Sequence, residues 1–471
     1  MNTRSSTIWT FAITSVALFM VTLDNLVVTT ALPVIREDLG ASLSQLEWTV
    51  NAYTLTFAAL LLTGAALGDR FGRRLMFSVG LGIFTVSSAA AALAPGIVAL
   101  DVARAAQGVG GAIVTPLTLT ILSAAMPPER RGLALGAWGG IGGLAVAMGP
   151  LVGGAIVEGI SWQWIFWLNV PIGLLLAPLA FLRLGESRGP AGQLDLRGLA
   201  LASGGLFGIV WGLVRANDIG WASAEIVGSL VAGATLLAGF VLWEHRAPAP
   251  MLPIRFFRNR TFTLTNVASL FMFFGMFGSI FLLAQFFQTV QGYSPLEAGI
   301  RILPWTAMPI FIAPIAGALS DRIGGQRIMG VGLTLQAVGL AWIATVTTPT
   351  TPYADVVIPF FLSGIGMALF FAPVANVVLS AVRRNEEGQA SGATNAIREL
   401  GGVFGVAVLA SIFAHYGGYL SGQDFVDGLR PAVWVGAAVV GLGALASFAI
   451  PSRARARAEA SEPVRALDLA A

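Results

Sequence analysis

Apolar runs of about 20 residues recur along almost all of this 471-residue chain, and they constrain its fold more than any other feature. A run of this length is long enough for a helix to cross the hydrocarbon core of a bilayer. Backbone groups in lipid must be hydrogen-bonded within the protein, so we interpret the runs as helices, and they are longer than the strands of a membrane barrel. We predict fourteen spans, near residues 8–34, 47–68, 75–95, 98–123, 132–157, 164–183, 194–214, 223–243, 262–290, 298–320, 327–347, 354–380, 391–415 and 430–450.

The residue types that are missing exclude several classes of function. Only 11% of the residues are charged, against roughly 25% in globular proteins, and no polar stretch is long enough for a soluble catalytic domain. The chain has no cysteine, which excludes disulfides and thiolate chemistry, and no lysine, which excludes the phosphate-binding lysine of a nucleotide-driven pump. His245 and His415 fall at opposite faces of the predicted topology. We therefore predict a protein that is not an enzyme and has neither a metal site nor a cofactor.

The arginines predict the orientation of the chain. In this topology 21 of the 27 lie on one side, Arg104 and Arg398 lie inside spans, and four lie on the other side, namely Arg36, Arg215, Arg301 and Arg430. Because positive residues favour the cytoplasmic side, both termini are predicted to be cytoplasmic. The basic charge then reflects topology and does not indicate nucleic-acid binding. With its arginine-only, Ala- and Gly-rich usage, we expect a multi-pass protein of a bacterial inner membrane.

A charged loop occurs twice, after the second apolar run of each half of the chain. Gly68–Asp69–Arg70–Phe71–Gly72–Arg73–Arg74 corresponds to Ser320–Asp321–Arg322–Ile323–Gly324–Gly325–Gln326–Arg327. Such a repeat predicts two similar helical bundles. We predict six-helix bundles at 1–190 and 251–455, an inserted hairpin within 191–250 and a disordered tail at 456–471. Two halves that rock around a central site are typical of a carrier.

Several strings have the form of known transporter signatures. They are Leu23-Asp24-Asn25-Leu26-Val27-Val28-Thr29-Thr30-Ala31-Leu32-Pro33, the loop at 68–74, and Arg104-Ala105-Ala106-Gln107-Gly108-Val109-Gly110. Ser161-Trp162-Gln163-Trp164 through Asn169, Pro171 and Gly173, and the stretch from Phe287 to Gly299, add to them. On these motifs the chain resembles the major facilitator superfamily, and in particular its fourteen-span drug:proton antiporter branch. The resemblance covers almost the whole chain and implies the two-bundle fold and alternating access.

Asp24 and Arg104 are the first candidates for proton coupling. Asp24 lies about 13 Å below the outer end of its helix, where a carboxylate is costly unless it is paired or protonated. Arg104 is predicted at a similar depth and shares one helix face with Gln107, Gly108 and Gly111, so it could influence when Asp24 loses its proton. Alternatively, Asp24 is only hydrogen-bonded into helix packing through Asn25 or Thr22, and Arg104 reaches the surface or pairs with Asp101.

The resemblance assigns roles to two further motifs. In the family the loop after the second span ties the halves together at the cytoplasmic side, which implies gating by the residues Asp69, Arg70, Gly72, Arg73, Arg74, Asp321 and Arg322. Physically, Asp69 can pair with arginines or cap a helix N-terminus. The fifth span resembles the antiporter motif associated with export, with matches at Gly136, Gly149, Pro150, Gly153 and Gly154 and a departure at Ala145.

Glu399 adds an acid inside the thirteenth span, where the branch often has glutamine. Its position beside Arg398 leaves three alternatives open. It binds a proton, it binds a cationic substrate, or it joins Arg398 and Glu386 or Glu387 in a cytoplasmic salt-bridge lock.

In this fold the first, fourth, ninth and twelfth spans line the central cavity. The candidate substrate-binding residues on these spans are Asn25, Gln107, Phe274, Phe277, Phe281, Gln285, Met367, Phe370 and Asn376. Aromatic and thioether side chains suit flat lipophilic ligands of varied shape.

These observations predict a monomeric, proton-coupled exporter of lipophilic cationic drugs or toxic compounds, which works by alternating access. Its partners would be protons, the substrate and the lipid bilayer. Two alternatives remain at this point: an exporter of one metabolite or antibiotic, and a sensor or chaperone of the same fold that transports nothing.

Overall fold

The computed structural model describes residues 3–126, 128–188, 195–248, 250–383 and 387–451, and over these ranges the chain is helical and contains no strand. The predicted tail at 456–471 and Glu386 lie outside them. The helices are α1 (Thr3–Leu39), α2 (Leu43–Phe71), α3 (Arg73–Ala92), α4 (Ile97–Ala125), α5 (Pro128–Gly159), α6 (Trp164–Trp167), α7 (Asn169–Arg183), α8 (Leu196–Ile219), α9 (Ala224–Glu244), α10 (Arg260–Gln285), α11 (Pro295–Thr306), α12 (Met308–Ile323), α13 (Gly325–Val346), α14 (Tyr353–Leu379), α15 (Glu387–Tyr416) and α16 (Gly422–Phe448).

Thirteen spans in the described chain are long and apolar enough to cross a membrane, and a bent helix makes the fourteenth. The bend lies in α5 and measures 43° between Gly140–Val146 and Met148–Gly159. Pro150 accounts for it, since proline cannot donate to the carbonyl four residues earlier and its ring crowds that turn. Helices α6 and α7 together form the sixth span, and α11 with α12 forms the tenth. The predicted number of spans is therefore confirmed.

Some span boundaries differ from the prediction. The last span was expected at 430–450, but α16 begins at Gly422, because Ser421 caps it by accepting a hydrogen bond from the Asp424 amide at 3.1 Å. The polar first turns, with Asp424 and Arg430, hid this start from a search for apolar runs. Similarly, α1 continues past Pro33 to Leu39.

The same helix pairings occur in both halves of the chain. In the first half α1 packs on α5, α3 on α4 and α7, and α2 on α4; in the second half α10 packs on α15, α13 on α14 and α16, and α12 on α14. The two loops also correspond, since Gly72 and Gly324 both have positive φ values, 114° and 93°. Only glycine adopts such values without strain.

Two helix pairs make most of the contact between the halves, α5 with α11 and α2 with α15, and α1 with α10 and α5 with α12 make smaller contacts. Helices α8 and α9 form a hairpin, and α8 lies against both α2 and α15. An aromatic cluster of Trp48, Phe207 and Trp211 fixes α8 on α2, with ring centroids 5.7–5.9 Å apart. The hairpin therefore covers one of the two seams between the halves.

Candidate functional site

The structure places Asp24 at the centre of a buried hydrogen-bond network. Asp24 on α1 and Arg104 on α4 are 1% and 0% exposed, and Arg104 Nη1 lies 2.6 Å from Asp24 Oδ2. The other carboxylate oxygen accepts from the amides of Gln107 at 2.8 Å and Asn169 at 2.7 Å. Three donors and a full opposite charge therefore satisfy both oxygens of the Asp24 carboxylate.

A second set of contacts holds Arg104 in place. Its Nε donates to the carbonyl oxygen of Thr49 at 3.2 Å, and its guanidinium carbon lies 4.3 Å from the ring centroid of Tyr53. The Thr49 hydroxyl donates to Asp101 at 2.8 Å, and Gln107 also donates to Ser88 at 2.8 Å. Helices α1, α2, α3, α4 and α7 therefore all contribute to the network.

These contacts show which of the expected partners Asp24 and Arg104 have. Arg104 neither reaches the surface nor pairs with Asp101; it is fully buried and pairs with Asp24. Asp24 is bonded into helix packing, but through Arg104, Gln107 and Asn169 instead of Asn25 or Thr22. All the partners of Asp24 belong to the first half of the chain.

A separate cavity of about 210 Å³ lies between the two halves. This is smaller than the roughly 300–1,000 Å³ of pockets that hold drug-sized ligands. Its lining is mostly apolar and includes Tyr53, Phe57, Phe273, Met276, Phe277 and Phe371.

Four polar atoms on the cavity wall have no hydrogen-bond partner in the protein. They are Asn25 Oδ1, Thr115 Oγ1, Trp138 Nε1 and Glu399 Oε2. Buried polar atoms are normally paired, and leaving one unpaired costs about 1–3 kcal/mol. Four such atoms around one space indicate that something other than the protein satisfies them.

Glu399 is the acid of this cavity, and its neighbour Arg398 does not neutralise it directly. Arg398 Nη1 donates to Asn395 Oδ1 at 3.3 Å, and its guanidinium carbon lies 5.9 Å from the ring centroids of both Phe273 and Phe371. The proposed salt-bridge lock with Glu386 or Glu387 falls on side chains outside the described part of the structure.

The structure brings only some of the predicted substrate residues to this cavity. Asn25 and Phe277 line it, together with Glu399. Gln107 belongs to the Asp24 network, and Gln285 accepts from the Tyr419 hydroxyl. Asn376 is exposed, and the remaining side chains, Phe274, Phe281, Met367 and Phe370, are buried in the apolar core and are not among the cavity-lining residues.

The first copy of the loop is held by contacts within its own half. Arg73 Nη2 lies 2.8 Å from Asp69 Oδ1, while Arg70 is exposed. The carboxylate of Glu186 accepts from the Arg74 and Leu75 amides at 3.0 and 3.3 Å. It thereby caps the N-terminus of α3, a favourable place for negative charge. A Cβ on Gly72 would come within 2.8 Å of the Glu186 carboxyl carbon, so the close approach requires glycine.

The second copy of the loop has a different residue beside its glycine. Arg322 is exposed, and the Asp321 side chain lies outside the described residues. In place of the Glu186 carboxylate, the Gln326 amide lies beside Gly324.

The glycines of the fifth span allow close packing on both sides of α5. A Cβ on Gly149 or Gly153 would overlap Leu26 or Thr30 of α1. Across the seam, a Cβ on Gly154 would overlap the carbonyl of Pro295 on α11, and one on Gly299 of α11 would overlap the carbonyl of Pro150 on α5. Small residues let helices approach closely in membranes, so this motif forms part of the contact between the halves. Gly136 lies outside the residues whose side-chain environment is described.

Comparison with known families decides the class of the protein. The model of the Major Facilitator Superfamily matches residues 14–406. The chain belongs to this superfamily. It is a multi-pass transporter of a bacterial inner membrane and not an enzyme.

Relatives of this transporter are named for resistance and export. The Tetracenomycin C resistance and export protein of Streptomyces glaucescens is 35% identical over 89% of this chain and 78% of its own length. The Multidrug resistance protein Stp of Mycobacterium tuberculosis is 34% identical over 86% and 75%. The Puromycin resistance protein pur8 of Streptomyces alboniger is 32% identical over 94% and 88%. This similarity agrees with the drug-efflux branch that the motifs resemble.

Solved structures confirm the fold of the transporter. A bacterial homologue of the human lysosomal transporter Spinster, in an inward-facing and unoccupied conformation, aligns with a TM-score of 0.67 at 17% identity, over 94% of this chain and 96% of that one. The xylose transporter XylE of E. coli, in a partially occluded inward-open conformation, aligns with a TM-score of 0.64 at 15% identity, over 96% and 99%.

Several residues of these sites were not predicted. Asn169 is part of the tryptophan-rich motif noted in the sequence, so a polar residue inside the sixth span was the available signal. Trp138 gave no signal, because it is a single aromatic residue within the predicted span at 132–157. Glu186 lies in a linker with no feature that connects it to the loop 112 positions earlier.

Proposed function

We propose that the transporter exports lipophilic, cationic drugs or toxic compounds in exchange for protons, by alternating access. Its relatives are named for export of, or resistance to, tetracenomycin C, puromycin and multiple drugs. The moving halves would be residues 1–190 and 251–455. One chain supplies both walls of the cavity, so a monomer would suffice.

The observation that carries the proposal is the composition of the cavity. Aromatic and thioether groups surround a single carboxylate whose Oε2 atom has no partner, Glu399. Rings attract a flat cation through their π-electrons, and the carboxylate provides the opposite charge. The unpartnered atoms of Asn25, Thr115 and Trp138 would orient polar groups on the ligand.

The Asp24 network would supply the coupling to protons. A proton on Asp24 removes the charge that balances Arg104, and it turns one accepting oxygen into a donor. The donors around the carboxylate must then rearrange. Asn25, the next residue on α1, lines the cavity. The rearrangement would therefore be transmitted to the substrate site by α1 itself, and the reverse change would follow when substrate binds.

The loop at 68–74 and the glycines of α5 would act as gates in this scheme. Asp69, Arg73 and Glu186 hold the cytoplasmic ends of α2, α3 and α7 together as one body. Close packing of α5 on α11 provides a contact across which the halves can rock.

Ethidium transport in inside-out vesicles tests the proposal. We expect protein-dependent accumulation that collapses with a proton uncoupler, is lost in Asp24→Asn and is strongly reduced in Glu399→Gln. Asp355→Asn is the matched control, because Asp355 is an exposed acid at the start of α14. Normal uncoupler-sensitive transport by Asp24→Asn would assign coupling to another group.

A narrow exporter of one antibiotic is the second candidate, and the names of the relatives favour considering it. The methylenomycin A resistance protein of Streptomyces coelicolor, 33% identical over 83% of this chain, is named for a single compound. If active vesicles transported one antibiotic but no dye, the result would support a narrow exporter over a broad one.

A further inference from the structure

Another buried acid, which is not among the cavity-lining residues, lies at the outer end of α2. Glu47 is 2% exposed, and its Oε2 atom has no hydrogen-bond partner. One turn along the same helix, Asn51 is 0% exposed, and neither of its side-chain polar atoms has a partner. Residues four apart share a helix face. The two side chains therefore form one unsatisfied polar pair, which the Asp24 network and the cavity do not use.

This pair is close to the contact between the halves. The residue after Glu47, Trp48, packs 5.7 Å from Phe207 of the hairpin that covers the seam between α2 and α15. Glu47 also lies within electrostatic range of Tyr419, in the segment that joins α15 to α16. The guanidinium carbon of Arg36, at the outer end of α1, lies 3.5 Å from the centroid of the Tyr419 ring. Tyr419 also donates its hydroxyl hydrogen to Gln285 of α10. Because burial raises the pKa of Tyr419, this hydroxyl remains a donor.

The surroundings of Glu47 offer little to balance a negative charge. The nearest acid from α8 is Asp218, which is exposed and like-charged. Among the described residues no salt bridge reaches Glu47, since Arg36 lies on Tyr419, Arg104 pairs with Asp24 and Arg215 pairs with Glu225. His415 of α15 is exposed, and Asp101 of α4 is bonded to Thr49. An unpaired charge in such a place is strongly unfavourable.

A proton on Glu47 would remove the unbalanced charge and would provide a hydrogen-bond donor for Asn51. A protonated carboxyl group carries no charge and gains a donor, while Asn51 Oδ1 is an acceptor without a partner one turn away. We propose that Glu47 binds a proton from the external medium while the outer ends of the two halves are closed, and releases it when they open. External acid then favours closure of the outer face. This goes beyond the proposed function, because it requires neither a substrate nor coupled transport.

The opening can be measured directly in the purified, full-length transporter. The chain has no cysteine, so cysteines introduced at Ile160 and Leu420 would carry the only spin labels. These residues are 63% and 96% exposed, at the outer ends of the first and second halves. In lipid, raising the pH should increase the population with a long label-to-label distance in the otherwise native protein.

Two variants should shift this response in opposite directions. Glu47→Gln is permanently neutral, so its outer face should stay closed at pH values where the native protein opens. The midpoint pH of opening should rise by about one unit or more, which corresponds to a tenfold change in the open-to-closed ratio. Asn51→Leu removes the acceptor for the proton, so the midpoint should fall. Glu47→Asp keeps a titrating group and should restore a pH-dependent opening.

The control for the charge change is Glu37→Gln, an exposed acid at the outer end of α1, which should leave the midpoint unchanged. If Glu47→Gln opened with the same midpoint as the native protein, the proposal would be overturned. A Glu47→Gln protein that fails to fold would lack the closed-distance population at every pH. In that case the midpoint pH of Asn51→Leu tests the proposal, which requires that midpoint to be lower than in the native protein. Failure of ethidium transport would affect only the proposed function.

Discussion

The Asp24 network and the central cavity are both polar sites within apolar helices, but they differ in how their polar atoms are satisfied. Every oxygen of Asp24 accepts a hydrogen bond from a side chain of the same half. In the cavity, Asn25, Trp138 and Glu399 each present an atom with no partner. In the network, Arg104 Nη2 also lacks a partner, but both oxygens of the carboxylate are bonded. A carboxylate bonded on both sides favours one conformation, whereas a wall with four unpartnered atoms requires a ligand. From this difference we propose that the first site controls the conformation and the second receives the substrate.

The largest effect on stability is expected from substitutions in the buried pair of Asp24 and Arg104. Asp24→Asn preserves shape but leaves Arg104 as an uncompensated charge, so it should lower the free energy of unfolding by about 3–5 kcal/mol. Adding Arg104→Gln should recover much of the loss, because the charge is then removed as well. Chemical denaturation in detergent, followed by tryptophan fluorescence, measures both variants.

The single substitution Asp355→Asn, at an exposed acid, provides the baseline for the same chemical change. Additive losses in the double variant would show that Asp24 and Arg104 contribute independently, contrary to their 2.6 Å contact.

In contrast to Asp24→Asn, Glu399→Gln should have a large effect on transport and little effect on the free energy of unfolding. One carboxylate oxygen is buried without a partner, and an unpaired buried charge is unfavourable, so its neutralisation should leave the free energy of unfolding unchanged or raise it slightly. For a cationic dye we expect the transport KM to rise about tenfold, equivalent to roughly 1.4 kcal/mol of lost binding.

A neutral lipophilic substrate is the discriminating control for this variant. Its KM should be nearly unchanged by Glu399→Gln if the carboxylate recognises charge. An equal rise for neutral and cationic substrates would instead assign Glu399 to the proton or to the shape of the cavity.

Sequence patterns predicted the spans and the similar depth of Asp24 and Arg104 because both depend on local rules. A run of apolar residues implies a span wherever it packs, and two opposite charges at equal depth in lipid have few other partners. The start of α16 was missed since its first turns carry Asp424, Asp427 and Arg430, which resemble a loop in composition.

Sequence patterns do not select the residues that line the cavity, because the lining depends on the depth of each residue along its helix and on how the two halves pack together. Phe277 and Phe281 lie one turn apart on α10, yet Phe277 lines the cavity and Phe281 is buried in the core. Trp138 reaches the cavity from α5, which bends by 43°. Composition and periodicity do not report the packing of one half against the other, and that packing selects the lining residues.

Two asparagines, one in the Asp24 network and one in the cavity, should give effects of intermediate size. Asn169 donates to Asp24 at 2.7 Å, so Asn169→Leu should cost about 1–3 kcal/mol of stability, as expected for removal of a partner from a buried charge. Asn25→Leu should leave stability nearly unchanged and should weaken substrate binding several-fold. Unfolding and transport measured on both variants would contradict the division of roles if the two losses were alike.

The smallest expected effects come from two threonines that differ in the same way. The Thr49 hydroxyl donates to Asp101 at 2.8 Å, while the Thr115 hydroxyl lines the cavity without a partner. Replacement by valine keeps the shape and removes only the hydroxyl. Thr49→Val should therefore lower the free energy of unfolding by about 1 kcal/mol, whereas Thr115→Val should be neutral or slightly stabilising, because it removes a polar atom that is buried and unpaired. If denaturation showed an equal loss for both, the cavity hydroxyl would have a partner within the protein, and the contrast between the two sites would no longer hold at that position.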